Sequence, residues 1–204
     1  MSENRIFLTG AVAVVVSIGA AMFLYSQMSS GAIAAEDGPG PNLLIDVAGQ
    51  ANGRVVIDLL PEIAPKHVAQ VVDIARTGGY NNVTFHRVID GFMAQTGDVK
   101  YGKIGADSTL VGTGKSELPD IVAEFSDIAY QRGIVGMARS NDLDSANSQF
   151  FIMLAPNGSL DGKYTVIGHV IEGMEIVDQI KKGNPDLNGG VVDPDRMYNV
   201  TVEE

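Results

Sequence analysis

The stretch FHRVIDGFMAQTGD contains the side chains in this sequence that are best placed to do chemistry. It puts one cation, Arg87, close to two large apolar side chains, Phe92 and Met93, and to an amide, Gln95. A guanidinium can stabilise developing electron density without forming a covalent bond. The residue types therefore indicate electrostatic stabilisation of a group that is held against an apolar surface.

Other common catalytic arrangements are not found in the sequence. The histidines, His67, His86 and His169, show neither the spacing of a helical zinc pair nor a zinc-like pattern with Glu. The chain has no Cys, which excludes disulfides, thiolate chemistry and Cys-based zinc sites. There is no G-x-S-x-G elbow, and the segment GTGKS lacks P-loop spacing. We therefore expect no metal and no other cofactor, and we find little support for a hydrolase.

Composition limits the organisation and the partners of the chain. Its 204 residues suffice for one domain with an appendage, and 45% hydrophobic residues with 24 Gly fit a turn-rich globular domain. The net charge of -11 argues against nucleic-acid binding, since little basic surface is available to contact phosphates.

The elements that must position these side chains are mostly short strands. One predicted helix begins at Pro65 and stops at Gly78, and a second covers Met174–Lys182 with Gly183 as its cap. Tyr101–Lys115 is predicted to be a surface loop. The predicted strands are Leu43–Val47, Arg54–Leu60, Thr84–Val88, Phe92–Thr96, Gly133–Ala138, Phe150–Met153, Tyr164–Val170 and Tyr198–Val202. This pattern favours an all-β barrel or a sandwich without choosing between them.

The first stretch, together with SQFFI at Ser148–Ile152, resembles the cyclophilins, the peptidyl-prolyl cis-trans isomerases. Their motif reads FHRxIxGFMxQxGD and is followed later by SQFFI. The resemblance runs from about Asn42 to the C-terminus. It implies a mainly all-β fold, an eight-stranded antiparallel closed β-barrel whose two ends are covered by two α-helices.

The resemblance implies that the protein accelerates rotation about X-Pro bonds. Amide resonance gives this rotation a barrier of about 18–20 kcal/mol. In the twisted transition state the prolyl nitrogen regains its lone pair, and a guanidinium aimed at that nitrogen favours the twisted state. By resemblance, Arg87 is the catalytic guanidinium, and Gln95 binds the substrate carbonyl and steadies Arg87.

The resemblance also implies the residues that bind the substrate. They are Phe92, Met93 and Phe151 in the proline pocket, Leu160 as its far wall, and Ala138, Arg139, Gln149 and Tyr164 around it. Taken singly, the apolar residues are more often ordinary core, and Arg87 and the two glutamines are more often surface groups. A substrate-binding site is favoured because FHRVIDGFMAQTGD and SQFFI occur together at the spacing of the family motif.

Three positions depart from the well-studied eukaryotic cyclophilins. Ser159 stands where they have Trp, Tyr164 where many have His, and Arg139 where Asn is usual. The ring of Tyr164 is expected to keep proline binding. The missing indole predicts weak cyclosporin binding, because one large flat contact and its N–H donor are gone.

The first 35 residues predict an export segment. Ile6–Tyr25 carries no charge, follows Arg5, and is long enough to span roughly 30 Å as a helix. The sequence Ala-Ile-Ala at 32–34 matches a signal-peptidase site, with cleavage near Ala34 or Ala35. A cleaved signal peptide and an uncleaved membrane anchor both stay open, and membrane contact is expected only through this segment.

Residues 36–41 are predicted to be a Gly- and Pro-rich linker, and 42–204 the isomerase-like domain.

Sequons begin at Asn82, Asn157 and Asn199, the first two beside the expected cleft. Glycans there would hinder an active enzyme, which favours the periplasm of a Gram-negative-type bacterium over a eukaryotic secretory route. We expect a monomer acting on proline-containing unfolded or partly folded polypeptides.

Two other interpretations remain open at this point. A noncatalytic proline-peptide binding module or holdase chaperone would use the same scaffold, and a structural envelope protein would need neither pocket nor cation. The presence of Arg87 with a full set of pocket residues favours the enzyme.

Overall fold

The structure, a computed structural model, describes residues 37–106 and 109–204. The predicted signal peptide or membrane anchor lies outside these residues, as does a short part of the predicted Tyr101–Lys115 loop. Among the described residues, no helix is long and apolar enough to cross a membrane.

Alternating burial defines the first strand, β1 (Asn42–Ala48). Leu43, Ile45 and Val47 are buried and the residues between them are partly buried, which is the two-residue repeat of a strand with one face on the core. β2 (Gly53–Leu59) pairs with it in antiparallel register. The predicted strand pair is confirmed.

The remaining strands extend this pair into one antiparallel sheet. They are β3 (Val83–Thr84), β4 (Arg87–Ile89), β5 (Met93–Thr96), β6 (Ile134–Met137), β7 (Phe150–Met153), β8 (Val166–Glu172) and β9 (Arg196–Glu203). The nine strands of the described residues run in the order β3-β9-β1-β2-β8-β6-β7-β5-β4.

The sheet curls strongly without closing into a barrel. Its two end strands, β3 and β4, are separated in the chain only by Phe85 and His86, so the ends of the sheet must lie near each other. No ladder joins β3 to β4, because loop segments take the backbone hydrogen bonds at this seam. The N–H of Phe85 donates to Asp195 O at 2.9 Å, and the N–H of Val191 donates to His86 O at 3.1 Å. The predicted closed eight-stranded barrel is therefore wrong, while the mainly β fold with two helices is confirmed.

The first helix, α1 (Pro65–Arg76), forms as its apolar spacing predicts. Pro65 occupies the first turn, where its missing N–H removes no helical hydrogen bond. Its buried face contacts β9 and consists of His67, Val68, Val71, Val72, Ile74 and Ala75. The prediction of this helix is confirmed.

The second helix, α2 (Met174–Gln179), is shorter than predicted. Ile180 turns to extended backbone, with φ -53° and ψ 132°, and its buried side chain packs in the core. Gly183 is not a helix cap, since its N–H donates to Val88 O in β4 at 2.9 Å. A short 3-10 helix, Pro185–Leu187, follows, and the sequence pattern did not predict it.

A carboxylate from a distant loop caps the start of α1. The residue before the helix is Ala64, which offers no side-chain cap. Glu124 Oε2 instead accepts from the backbone N–H groups of Lys66 at 3.2 Å and His67 at 3.1 Å, and lies 2.6 Å from His67 Nδ1. Partial burial alone would raise the pKa of Glu124, but hydrogen bonds from the His67 side chain and from these two amides lower it. The cap therefore depends on an ionised carboxyl group.

We expect Glu124→Gln to lower the free energy of unfolding by about 1 kcal/mol at roughly pH 7, because the helix start loses its anionic cap. The folded pKa of Glu124 lies below the ordinary value of about 4.3, so the stabilisation is present above that pH and is lost as the pH falls through the folded pKa. The difference between the two proteins should thus shrink at about pH 3, as measured by urea unfolding. Glu117→Gln is the matched control, since that side chain is 94% exposed. Equal stability of Glu124→Gln and the unchanged protein at neutral pH would contradict the cap.

The apolar side chains form two clusters. The larger one fills the space between the sheet and the two helices. The smaller one centres on buried residues of β5, β6 and β7 with Tyr130, and partly buried residues extend it to the surface. This second cluster supports the surface described next.

Candidate active site

Strand register brings three of the predicted site residues into one row. Arg87 in β4 lies opposite Gln95 in β5, Gln95 lies opposite Phe151 in β7, and Phe151 lies opposite Gly136 in β6. Directly opposed residues of an antiparallel sheet project from the same face. Pairing across four strands therefore places a cation, an amide, an aromatic ring and a glycine side by side.

Gly136 leaves room for the aromatic ring of this row. A Cβ at this position would lie 2.7 Å from Phe151 Cζ, closer than side chains tolerate. Without it, the Phe151 ring stacks on Tyr130, with centroids 5.8 Å apart, and meets the edge of Tyr164 at 5.9 Å. Three aromatic rings thus fix the position of the pocket floor.

Two polar residues hold the guanidinium of Arg87 from opposite sides. Its Nη1 donates to Gln95 Oε1 at 3.1 Å. Its Nε donates to Asn188 O at 3.0 Å and its Nη2 to Asn188 Oδ1 at 3.1 Å. Partial burial lowers the pKa of Arg87 from its usual value, yet a guanidinium stays charged in proteins. The site therefore presents a fixed positive charge.

A chain of amides continues from Arg87 to a surface loop. Gln95 Nε2 donates to Gln149 Oε1 at 3.0 Å, and Gln149 Nε2 donates to the carbonyl oxygens of Gly112 at 3.0 Å and Gly114 at 2.8 Å. Each amide is a donor on one side and an acceptor on the other, so the loop carbonyls fix which end of Gln95 faces Arg87.

The row borders a pocket of about 200 Å³. Its lining comprises nine of the ten predicted site residues: Arg87, Phe92, Met93, Gln95, Ala138, Arg139, Phe151, Leu160 and Tyr164. The tenth, Gln149, lines an adjoining pocket of about 290 Å³ that shares Gln95, Ala138 and Arg139 with the first. The structure thus gathers all ten residues, while their individual roles stay predictions.

The apolar residues of the pocket also belong to the core. Met93 is 1% exposed and Phe151 is 6% exposed, and both are members of the smaller apolar cluster. Phe92, Leu160 and Tyr164 pack on that cluster and are partly exposed. These residues are therefore core residues that also line the pocket, since the pocket is the exposed edge of the core, and their role in binding proline stays a prediction.

Of the three positions that depart from the family pattern, Arg139 and Tyr164 line the pocket and Ser159 does not. The Arg139 guanidinium lies 4.4 Å from the Tyr164 ring centroid and donates from Nη2 to Lys163 O at 2.9 Å. Ser159 is exposed, and its hydroxyl donates to Asn157 Oδ1 at 2.7 Å. Arg139 and Tyr164 thus stack on each other, and Ser159 adds no ring.

Sequence reasoning missed Asn188 and Tyr130. Asn188 has the left-handed φ of 52° that Asn tolerates before a glycine, so the turn itself could be predicted. Its contact with Arg87 could not, because the two are 101 residues apart. Tyr130 carries no motif at all, and only the fold places it on Phe151.

The lining of the smaller pocket defines its chemistry. Among its described lining residues there is no Ser, Thr, Cys, His, Lys, Asp or Glu. Nowhere among the described residues do three or more His, Asp or Glu form a group that could hold a metal ion. The pocket can bind an apolar ring beside a fixed cation and neutral amides, which is noncovalent chemistry.

Comparisons with known proteins agree with this chemistry. A family model described as cyclophilin type peptidyl-prolyl cis-trans isomerase/CLD matches residues 44–202. A probable peptidyl-prolyl cis-trans isomerase from Brucella suis is 48% identical over 189 residues, covering 92% of this chain and 95% of that protein.

Solved structures show the same fold. A cyclophilin from Hirschia baltica aligns with a TM-score of 0.66 at 27% identity, covering 81% of this chain and 74% of that one. A Cryptosporidium parvum cyclophilin, crystallised in the presence of the dipeptide Ala-Pro, aligns with a TM-score of 0.67 at 23% identity and covers 80% of this chain and 99% of that one. With the family match and the Brucella relative, the pocket identifies the chain as a member of the cyclophilin-type peptidyl-prolyl cis-trans isomerases.

Proposed function

We propose that this pocket holds a substrate proline and that Arg87 stabilises the twisted X-Pro bond. The observation that carries the proposal is the position of the guanidinium. It is held by Gln95 and Asn188 at the edge of a pocket whose floor is aromatic and aliphatic. An isomerase needs this combination, since it must hold the pyrrolidine ring while the preceding carbonyl turns.

The cation favours the transition state over both planar isomers. In a planar amide the nitrogen lone pair is delocalised, so Arg87 finds no acceptor there. In the twisted state the lone pair is localised and accepts a hydrogen bond from the guanidinium. Because Gln95 and Asn188 already hold Arg87, little reorganisation is needed when this charge develops. Binding energy is thus applied where it lowers the barrier.

The remaining polar groups are suited to hold the peptide backbone. Gln95 Nε2 uses one N–H on Gln149, and its second N–H can donate to a substrate carbonyl. The N–H of Ala138 already donates to Gln149 O at 2.9 Å, so a substrate would use the carbonyl oxygen of Ala138. The Cryptosporidium cyclophilin crystallised with Ala-Pro supports a proline peptide as the occupant of this pocket.

The biological setting is also part of the proposal. The uncharged N-terminal segment and the sequon at Asn157 support an exported protein that works in a bacterial periplasm, free or tethered. The Asn157 carbonyl oxygen accepts from the N–H of Leu160, a pocket residue, whereas Asn82 does not line the pocket. In the periplasm, the substrates of this protein would be proline-containing segments of proteins that are still folding. We also propose that it acts as a monomer.

Arg87→Ala should lower kcat/KM for an X-Pro peptide by about a hundredfold, since one transition-state hydrogen bond and its charge are lost. The dissociation constant of the peptide should change by less than about threefold, because the planar ground state makes little use of Arg87. NMR exchange spectroscopy on a proline peptide measures both quantities. An equal loss of rate and of affinity would contradict the proposed role, and full activity of the variant would exclude it. Peptide binding without catalysis by the unchanged protein would instead indicate a noncatalytic binding module.

Asn188→Gly tests whether Arg87 must be held from both sides. Glycine keeps the left-handed backbone and the main-chain oxygen but removes Oδ1, so the catalysed rate should fall by roughly fivefold, equivalent to one hydrogen bond of about 1 kcal/mol. Asn82→Gly is the matched control, since Asn82 also has a left-handed φ of 62° but lies at the surface away from the pocket. Similar rates for both variants would contradict the positioning role of Asn188.

The exposed Ser159 predicts the response to cyclosporin. We expect weak inhibition of the unchanged protein, and inhibition by Ser159→Trp that is about tenfold stronger, because an indole adds a flat contact and an N–H donor. Ser159→Ala controls for loss of the hydroxyl. Inhibition constants from the isomerase assay decide the matter, and nanomolar inhibition of the unchanged protein would contradict the prediction.

A further inference from the structure

Arg139 lies at the boundary between the two adjoining pockets and lines both of them. A peptide whose proline occupies the smaller pocket must lay its neighbouring residues along the surface that surrounds it. The larger pocket opens directly from that surface, since Gln95 and Ala138 also belong to both linings. Arg139 is therefore within reach of side chains next to the proline.

The guanidinium of Arg139 is fixed in place by neutral groups. Its Nε and Nη2 donate to Lys163 O at 3.3 and 2.9 Å, and its Nη1 donates to Ser140 O at 2.9 Å. One face rests on the Tyr164 ring. A guanidinium has five N–H groups, so one on each Nη nitrogen stays available for a further acceptor.

The charge of Arg139 is not balanced by a carboxylate. Within the described part of the chain, no Asp or Glu oxygen lies within ion-pair distance of it. Three other arginines among the described residues do pair with carboxylates: Arg54, Arg76 and Arg132. The larger pocket likewise has no Asp or Glu among its described lining residues, and its other cation, Lys115, is paired with Asp120. On a chain with a net charge of -11, Arg139 is thus a pocket cation without a carboxylate partner among the described residues, although Asp142 and Asp144 lie in the adjoining loop.

We propose that Arg139 makes this isomerase prefer substrates that carry Asp or Glu beside the X-Pro dipeptide, with the acidic side chain in the larger pocket. The inference rests on the proposed function, because it assumes that the proline occupies the smaller pocket. A carboxylate matches the planar fork of a guanidinium, and Arg139 is already ordered, so little side-chain entropy is lost on pairing. The rest of the chain is acidic, so the preference must arise locally at this residue.

Matched peptides that carry Glu or Gln immediately before or after the X-Pro dipeptide provide the test. For the unchanged full-length protein we expect kcat/KM to favour Glu over Gln by about fivefold at one of these positions, as for a partly exposed ion pair. Added salt of about 1 M should reduce this ratio, because the pair is open to solvent.

In Arg139→Gln the Glu-to-Gln ratio should fall to about one or below, and in Arg139→Lys it should be partly retained. Arg54→Gln removes the same charge from β2, outside both pockets, and should keep the original ratio.

The Glu-to-Gln ratio of kcat/KM compares two substrates of the same protein. A smaller amount of folded protein in a variant lowers both values equally and leaves the ratio unchanged. A Glu-to-Gln ratio of one or less in the unchanged protein, with both peptides isomerised, would overturn the inference and leave the proposed function intact. A ratio that persists in Arg139→Gln would also overturn it. Failure of the unchanged protein to isomerise any of the peptides would contradict the proposed function and this inference with it.

Discussion

The guanidinium of Arg87 depends on two partners that the chain supplies from very different distances. Gln95 lies eight residues away and reaches Arg87 across a single strand pair, whereas Asn188 lies 101 residues away, after β8 and α2 in the chain. The Asn188 contact exists only if the curled sheet brings its end strand β4 against the turn that follows the short 3-10 helix, whereas the Gln95 contact follows from the pairing of β4 with β5. The sheet is left open at this seam, and the loops that fill the seam also supply the second support of the cation.

The apolar side chains of the site likewise serve both the fold and the pocket. Phe151 and Met93 fill the smaller core cluster and at the same time form the pocket floor. Gly136 is what allows this, since any larger residue would displace the Phe151 ring. Packing that stabilises the fold therefore also fixes the surface on which a proline ring would rest. The site is preorganised, because its apolar floor is packed into the core and the guanidinium of Arg87 is held by hydrogen bonds.

The sequence predicted the parts of this site that are local in the chain. Arg87, Met93 and Gln95 fall on two strands joined by a tight turn, so their mutual position follows from hairpin pairing. The long amphipathic spacing of α1 was likewise sufficient to place that helix.

The errors concern features that depend on distant segments. The predicted strand Thr84–Val88 is two strands, because its central residues bond to loops around Val191 and Asp195 that no local pattern reveals. The family resemblance implied a closed barrel, and whether the sheet closes depends on the same seam, where loop segments take the backbone hydrogen bonds. The helix α2 ends before Ile180, whose side chain packs in the core from extended backbone. The role of Asn188 was not predicted, because only the folded chain brings it to Arg87. In each case tertiary contacts outweigh local propensity.

The charge of Arg87 is proposed to act on the twisted X-Pro bond rather than on peptide binding. Replacing Arg87 by citrulline through protein semisynthesis tests this directly, because citrulline keeps the shape and several N–H donors of the side chain but removes the charge. Two-dimensional NMR exchange at saturating X-Pro peptide then gives the isomerisation rate on the protein, and titration gives the affinity. We predict an exchange rate lower by at least about tenfold with nearly unchanged affinity. An unchanged rate at saturation would contradict it and would show that the shape of the pocket, without this charge, is sufficient.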